Sequence, residues 1–254
     1  MDLKNFLAQK IVRKVPEITA LFWIIKLLTT AVGESTSDFL VHHINPVIAV
    51  VAGFIGFVIA LILQLRAKKY IPWIYWLAVT MVAVFGTMAA DVVHIVLGVP
   101  YGISAIGFAI ALAIIFFLWH TTEKTLSIHS INTPRRELFY WLTVIATFAL
   151  GTAVGDMTAI TFNLGYLDSG ILFALLFALP LCANTFFHTG EVATFWTAYI
   201  LTRPLGASFA DWFGRSPDMG GIGIGTGTTS IVLTILIIIF VSYLSVKHAT
   251  KNTP

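Results

Sequence analysis

Four aspartates in this chain stand at a fixed distance from four tryptophans. Asp38, Asp91, Asp156 and Asp211 each follow Trp23, Trp76, Trp141 and Trp196 by fifteen residues, and Gly33, Gly86, Gly151 and Gly206 follow them by ten. An aromatic residue, Phe22, Tyr75, Tyr140 or Phe195, precedes every tryptophan. With seven aspartates in the chain, fourfold agreement at one offset has a chance probability on the order of one in a million on composition alone. The chemistry open to recurrent carboxylates in apolar surroundings is the binding of a hard cation or a proton.

Helical spacing extends the constellation. The residue four before each aspartate shares its face, which sets Glu34 beside Asp38, Thr87 beside Asp91, Thr152 beside Asp156 and Ala207 beside Asp211. Only the first copy has a second carboxylate. Lys26 lies about two turns before Glu34, Arg203 two turns before Asp211, His42 and His43 one turn after Asp38, and His94 three residues after Asp91. Oxygen ligands with imidazoles nearby suit Mg²⁺, Mn²⁺ or another divalent ion. The single cysteine, Cys182, removes disulfide frameworks and thiolate-held metals.

These side chains need elements that cross a bilayer. Of the 254 residues 58% are hydrophobic and 11% charged, and mean hydropathy is +0.91, whereas a soluble domain carries about 25% charge. Apolar runs of about 20 residues fall near 17–44, 46–65, 71–97, 103–119, 137–164, 170–187, 191–213 and 229–246, which predicts an all-α polytopic membrane protein of eight transmembrane helices. Lys4, Lys10, Arg13 and Lys14 precede the first span. Arg66, Lys68 and Lys69 follow the second, Lys124, Arg135 and Arg136 the fourth, and Lys247 and Lys251 the last. The opposite connections carry only Arg215, so the positive-inside rule predicts cytoplasmic termini. Residues 1–14 are expected to form a cytoplasmic segment, either an interfacial helix or an orientation signal; no cleaved signal peptide is expected.

Each repeat is two spans long, at 15–66, 70–120, 136–188 and 190–247. Successive units would therefore enter the membrane in the same direction, as parallel repeats about an axis along the membrane normal. The even spans are almost wholly apolar and can face lipid, and the odd spans hold nearly every polar group, so odd helices are expected inside and even helices outside.

The phrases FWIIKLLTTAVGESTSD, YWLAVTMVAVFGTMAAD, YWLTVIATFALGTAVGD and FWTAYILTRPLGASFAD carry a resemblance. Over about residues 15–246 the chain resembles a family of bacterial inner-membrane proteins built from four tandem two-helix, tryptophan-containing repeats of unassigned function. The resemblance implies the fold and the bacterial inner membrane, and is silent on activity. Val82 stands where the other copies have Thr29, Thr147 and Thr202.

Each feature has a plainer reading. The tryptophans are expected as interfacial belt residues or as packing residues, and the glycines as points of close helix approach. The aspartates would bind ion or proton, or act as structural clamps. Lys26 and Arg203 would neutralise carboxylates or snorkel, the histidines would be solvated, and Glu191 with His188 would sit at a helix start. Thr29, Thr30, Ser35, Thr36 and Ser37 can bond back to helix carbonyls. The glycine-rich segment 214–230 lacks the ending of a phosphate loop and follows a membrane helix, so it is expected as a flexible outer loop or re-entrant segment. No nucleophile elbow, zinc-protease signature or haem motif is present, so no enzyme activity and no cofactor are expected.

The leading expectation is a secondary transporter exchanging a cation, foremost a divalent metal, for protons. Asp38, Asp91, Asp156, Asp211 and Glu34 would be its ion and proton sites, with Lys26, His42, His94, Arg203, Thr87 and Thr152 as accessories. A non-transporting scaffold or accessory subunit, or a pseudo-fourfold cation pore, are the alternatives. The expected partners are the lipid bilayer and a small cation or proton, with no nucleic acid; the sequence leaves the oligomeric state and the identity of any metal open.

Overall fold

The computed structural model describes residues 14–187 and 190–252; the expected amphipathic segment lies outside them except for Lys14. Eight long helices run along the described chain: α1 Ala20–His43, α2 Pro46–Arg66, α3 Pro72–Asp91, α4 Tyr101–Glu123, α5 Pro134–Asp156, α6 Gly165–Phe187, α7 Glu191–Gly214 and α8 Thr226–Asn252. No strand occurs among the described residues. Local chemistry sets several boundaries. The Thr19 hydroxyl accepts from the Phe22 amide and the Thr133 hydroxyl from that of Arg136, while the Asn45 side chain caps α2 just before Pro46.

α3 and α5 do not end cleanly. Each passes straight from its aspartate into one π-helical turn, Val92–Val96 and Met157–Thr161. α1 and α7 carry their aspartates inside regular helix. The runs 71–97 and 137–164, expected as uninterrupted spans, thus change geometry at the carboxylate.

The packing order is cyclic. α1 packs on α3, α3 on α5, α5 on α7, and α7 back on α1. The even helices coat this ring, yet each leans on the odd helix of the following repeat: α2 on α3, α4 on α5, α6 on α7, and α8 on α1. Within the first repeat α1 and α2 barely meet. A single two-helix unit therefore has little core of its own, and the ring closes when α8 reaches α1.

Six helices are long and apolar enough to cross a membrane, α2, α3, α4, α5, α6 and α8. Burial divides them, because the apolar windows of α2, α4, α6 and α8 are 17–22% buried against 44% and 56% for α3 and α5. The even helices thus turn Ile, Leu and Phe outward, as lipid-facing helices do. α1 and α7, expected as spans from sequence, are 24 residues long but are not among the six. Lys26, Glu34 and Asp38 interrupt one, and Arg203 and Asp211 the other, and all five are buried against neighbouring ring helices.

Small residues let the ring close. A Cβ on Gly33 would meet the Ala83 Cβ at 2.4 Å, on Gly86 the Phe148 Cβ at 3.2 Å, on Gly151 the Arg203 Cβ at 2.5 Å, and on Gly206 the Thr30 Oγ1 at 1.9 Å. Each glycine thus meets the residue three before the glycine of the next copy, and the fourth returns to the first.

Candidate ion site on the ring axis

Counting back from each aspartate in steps of four gives one inward line per ring helix. These are Asp38, Glu34, Thr30, Lys26 and Phe22 on α1; Asp91, Thr87, Ala83, Val79 and Tyr75 on α3; Asp156, Thr152, Phe148, Val144 and Tyr140 on α5; and Asp211, Ala207, Arg203, Tyr199 and Phe195 on α7. Every member is buried except Asp91 and Asp156, which are half-buried. At about 1.5 Å per residue the line runs about 24 Å. It forms five layers of four residues.

The aspartate layer is uneven. Arg215, just beyond α7, places its Nη2 2.8 Å from the Asp38 carboxylate and its Nε 3.0 Å from that of Asp211. Partial burial works against its charge, but the Asp211 and Asp38 carboxylates outweigh this and hold the guanidinium above its ordinary pKa range. Asp91 and Asp156 form no ion pair or hydrogen bond among the described residues. Ligand oxygens of Glu34, Asp38 and Asp211 all lie within 4.8 Å of one another.

The next layer is sealed by a crossing arginine. Arg203 Nη2 shares its two protons among three acceptors, Glu34 Oε2 at 2.6 Å, Thr152 Oγ1 at 2.9 Å and Thr87 Oγ1. The two threonines donate their own protons to the Ala83 and Phe148 carbonyls, which leaves lone pairs for the guanidinium. Three copies thus present an oxygen at this level, while the fourth has Ala207 and sends in Arg203 from one turn below. An uncompensated buried charge would cost several kcal/mol.

Beyond the arginine lies Lys26, its Nζ 4.0 Å from the Phe148 ring centre and 4.2 Å from that of Tyr199. The last layer is aromatic, with the Tyr75 and Tyr140 hydroxyls 2.5 Å apart and the Phe22 and Phe195 rings beside them. Trp76, Trp141 and Trp196 are buried in this cluster, and Trp196 donates its indole N–H to the Leu126 carbonyl. Of the two roles expected for them, these three serve packing, their rings filling gaps between helices; Trp23 is half-buried.

The structure leaves other expected residues aside. His42 and His43 are exposed and turn Nδ1 to the Asp38 and Phe39 carbonyls of their own helix, away from the axis. The His94 ring lies 4.4 Å from that of Tyr101, tilted by 44°, and meets the Val99 carbonyl and Ser104, which closes the turn after the π segment. Arg203, two turns before Asp211, pairs with Glu34 across the ring instead. Thr29, Thr147 and Thr202 each donate to the carbonyl three residues earlier. The segment 214–230 is not a loose loop: Ile222, Gly223 and Ile224 amides bond to the Trp212, Arg215 and Phe213 carbonyls. A Cβ on Gly221 would stand 2.1 Å from the Arg215 carbonyl, so the fold-back grips Arg215 against the aspartates. His188 lies outside the described residues, and Glu191 opens α7.

Several site residues had escaped the sequence. Arg215 follows Asp211 by four residues, a helical ion-pair spacing. Tyr101 and Tyr166 each follow an aspartate, Asp91 or Asp156, by ten. Tyr101 lies within electrostatic reach of Asp156 and Asp91, and the Tyr166 ring centre is 5.8 Å from Arg215 Cζ. Glu137, buried at the tryptophan end, binds Lys14 at 2.5 Å and Gln64 at 3.1 Å; these three are far apart in sequence, so no local spacing marks them.

A helical bundle with membrane-spanning helices and internal repeats is thereby defined. The chain matches the family described as Repeat of Unknown Function (DUF347) at residues 21–70, 74–125, 139–189 and 194–250, and it belongs to that family. No curated protein and no solved structure matches it.

Proposed function

We propose that the chain is a secondary transporter of a bacterial inner membrane that exchanges a cation, foremost a divalent metal, for protons. The observation that carries this reading is the gathering of five carboxylates from four helices at one end of the axis, three of them with ligand oxygens within 4.8 Å of one another and two without a partner. Five carboxylates outnumber the three cations of the axis, Arg203, Arg215 and Lys26, so once the carboxylates have given up their protons negative charge is left for a cation to compensate. Parallel repeats about the axis account for the cyclic glycine contacts. The positive-inside pattern puts the tryptophan end and both termini in the cytoplasm, so the aspartates would open outward while Arg203 and Lys26 close the axis below.

The test is reconstitution into vesicles with an internal pH dye and a panel of divalent cations applied outside. An imposed cation gradient is expected to drive proton movement in the parent protein and to fail in Asp91→Asn and Asp156→Asn. Folded protein that moves no protons with any cation defeats the proposal.

One observation favours a second reading, a non-transporting module with structural carboxylates: Arg203 and Arg215 already pair with Glu34, Asp38 and Asp211. It expects the same variants to melt earlier and the parent to be indifferent to ions. An open pore fits less well, because Arg203, Phe148 and Lys26 fill the axis.

A further inference from the structure

We propose that Lys26 is the proton-binding site of the exchange, coupled through space to the cation among the carboxylates. The inference rests on the exchanger reading.

Lys26 is 1% exposed. Among the described residues no carboxylate lies within ion-pair distance of it, and its ammonium is held by the ring faces of Phe148 and Tyr199 alone. A packing role at this position would be filled as well or better by an apolar side chain of similar volume. A second cation stands by the same ring, with Arg203 Cζ 5.7 Å from the Phe148 ring centre. Arginine keeps its proton throughout the accessible pH range, whereas a buried lysine readily gives its proton up. Of the two cations only Lys26 can switch.

The titratable and charged groups nearest it on the inward lines are Arg203 and Tyr199 of α7, Tyr140 of α5, Tyr75 of α3 and Glu34 of α1 itself. α8 packs on α1 with Thr229, Ile237 and Val241 as its buried residues, so it adds no buried titratable group among those described. Glu34 is eight residues from Lys26, about 12 Å along the helix. At an effective dielectric constant of about 20, one unit charge at that distance changes a proton equilibrium about tenfold, and a divalent ion about a hundredfold. A cation arriving at the carboxylates thus favours release of the Lys26 proton, and protonation of Lys26 weakens cation binding by the same factor.

When the cation binds, one N–H bond of the ammonium breaks, its electron pair stays on Nζ, and the proton leaves to solvent water, so that Lys26 ends neutral.

The experiment uses the full chain in detergent, weakly buffered, with Mn²⁺ as probe and an indicator dye. Protons released per Mn²⁺ bound, and Mn²⁺ affinity, are measured from mildly acid to mildly alkaline pH for the parent, Lys26→Met and Lys26→Arg. Both variants are expected to release about one proton fewer per Mn²⁺ than the parent. Their affinities should move in opposite directions, Lys26→Met binding about a hundredfold tighter at acid pH and Lys26→Arg about a hundredfold weaker at alkaline pH. A lysine that kept its proton throughout would also bind Mn²⁺ tighter as Lys26→Met, but at every pH alike, and would change neither the protons released nor the affinity of Lys26→Arg. If Lys26→Met does not fold, Lys26→Arg, which keeps the charge, decides alone. A parent that binds Mn²⁺ while both variants release as many protons as it does overturns the role of Lys26 only. A parent that binds no Mn²⁺ overturns it together with the exchanger reading.

Discussion

The two sides of the ring treat the same aspartate differently. On the α1/α7 side Asp38 and Asp211 sit in regular helix, share Arg215, and lie next to the Glu34–Arg203 pair. On the α3/α5 side Asp91 and Asp156 open π-helical turns and have no ion-pair or hydrogen-bond partner among the described residues. The first pair is closed by charge and the second is left available, in a helical geometry that recurs at functional sites. The difference teaches that repetition built the layer and divergence gave its two sides different charge surroundings: one carries its counter-charges, and the other does not.

The sharpest way to break this contrast is to remove the central guanidinium. Arg203→Ala leaves Glu34 buried and uncompensated and is expected to cost about 3–5 kcal/mol in denaturant unfolding, with most of the loss recovered in Glu34→Gln/Arg203→Met. A smaller effect separates two glycines. Gly33→Ala presses a Cβ within 3.0 Å of the Ala83 backbone, whereas Gly86→Ala meets only the Phe148 side chain at 3.2 Å. We expect about 1–3 kcal/mol for Gly33→Ala and less for Gly86→Ala, read from the same unfolding curves. Smaller again, Arg215→Gln frees Asp38 and Asp211 and should raise Mn²⁺ affinity about tenfold, about 1.4 kcal/mol, in equilibrium titration; weaker Mn²⁺ binding would show that Arg215 assists the site. The smallest effect lies away from the axis, where Arg136→Ala breaks a pair with Glu123 that is partly open to solvent, at about 0–1 kcal/mol.

Much of this was legible in the chain. The tryptophan, glycine and aspartate spacings marked the repeats, and the apolar runs marked the helices, because both signals are periodic and local. The inward line was visible for one step, Glu34 to Asp38, yet its continuation through Lys26 and Arg203 depends on which helices are neighbours. That order is a ring property: α8 closes on α1 only once all four copies have folded. The π turns after Asp91 and Asp156 leave no composition signal in VVHIV or MTAIT. Arg215 entered the sequence reading only through loop charge; its spacing of four from Asp211 was local and legible, whereas its second partner, Asp38, comes from the opposite end of the chain. Residue type left the tryptophans between an interface and packing; Trp76, Trp141 and Trp196 are buried because each inner helix meets an outer helix of the neighbouring repeat.

The central claim is that carboxylates from both sides of the ring make one cation site. Melting of the purified chain with Mn²⁺ at about a hundred times its dissociation constant tests it, since a ligand of the folded state alone then adds about 2.7 kcal/mol. The melting point should rise in the parent and stay unmoved in folded Asp91→Asn/Asp156→Asn. A parent that does not respond to Mn²⁺, or a double variant that responds as strongly as the parent, would contradict the account.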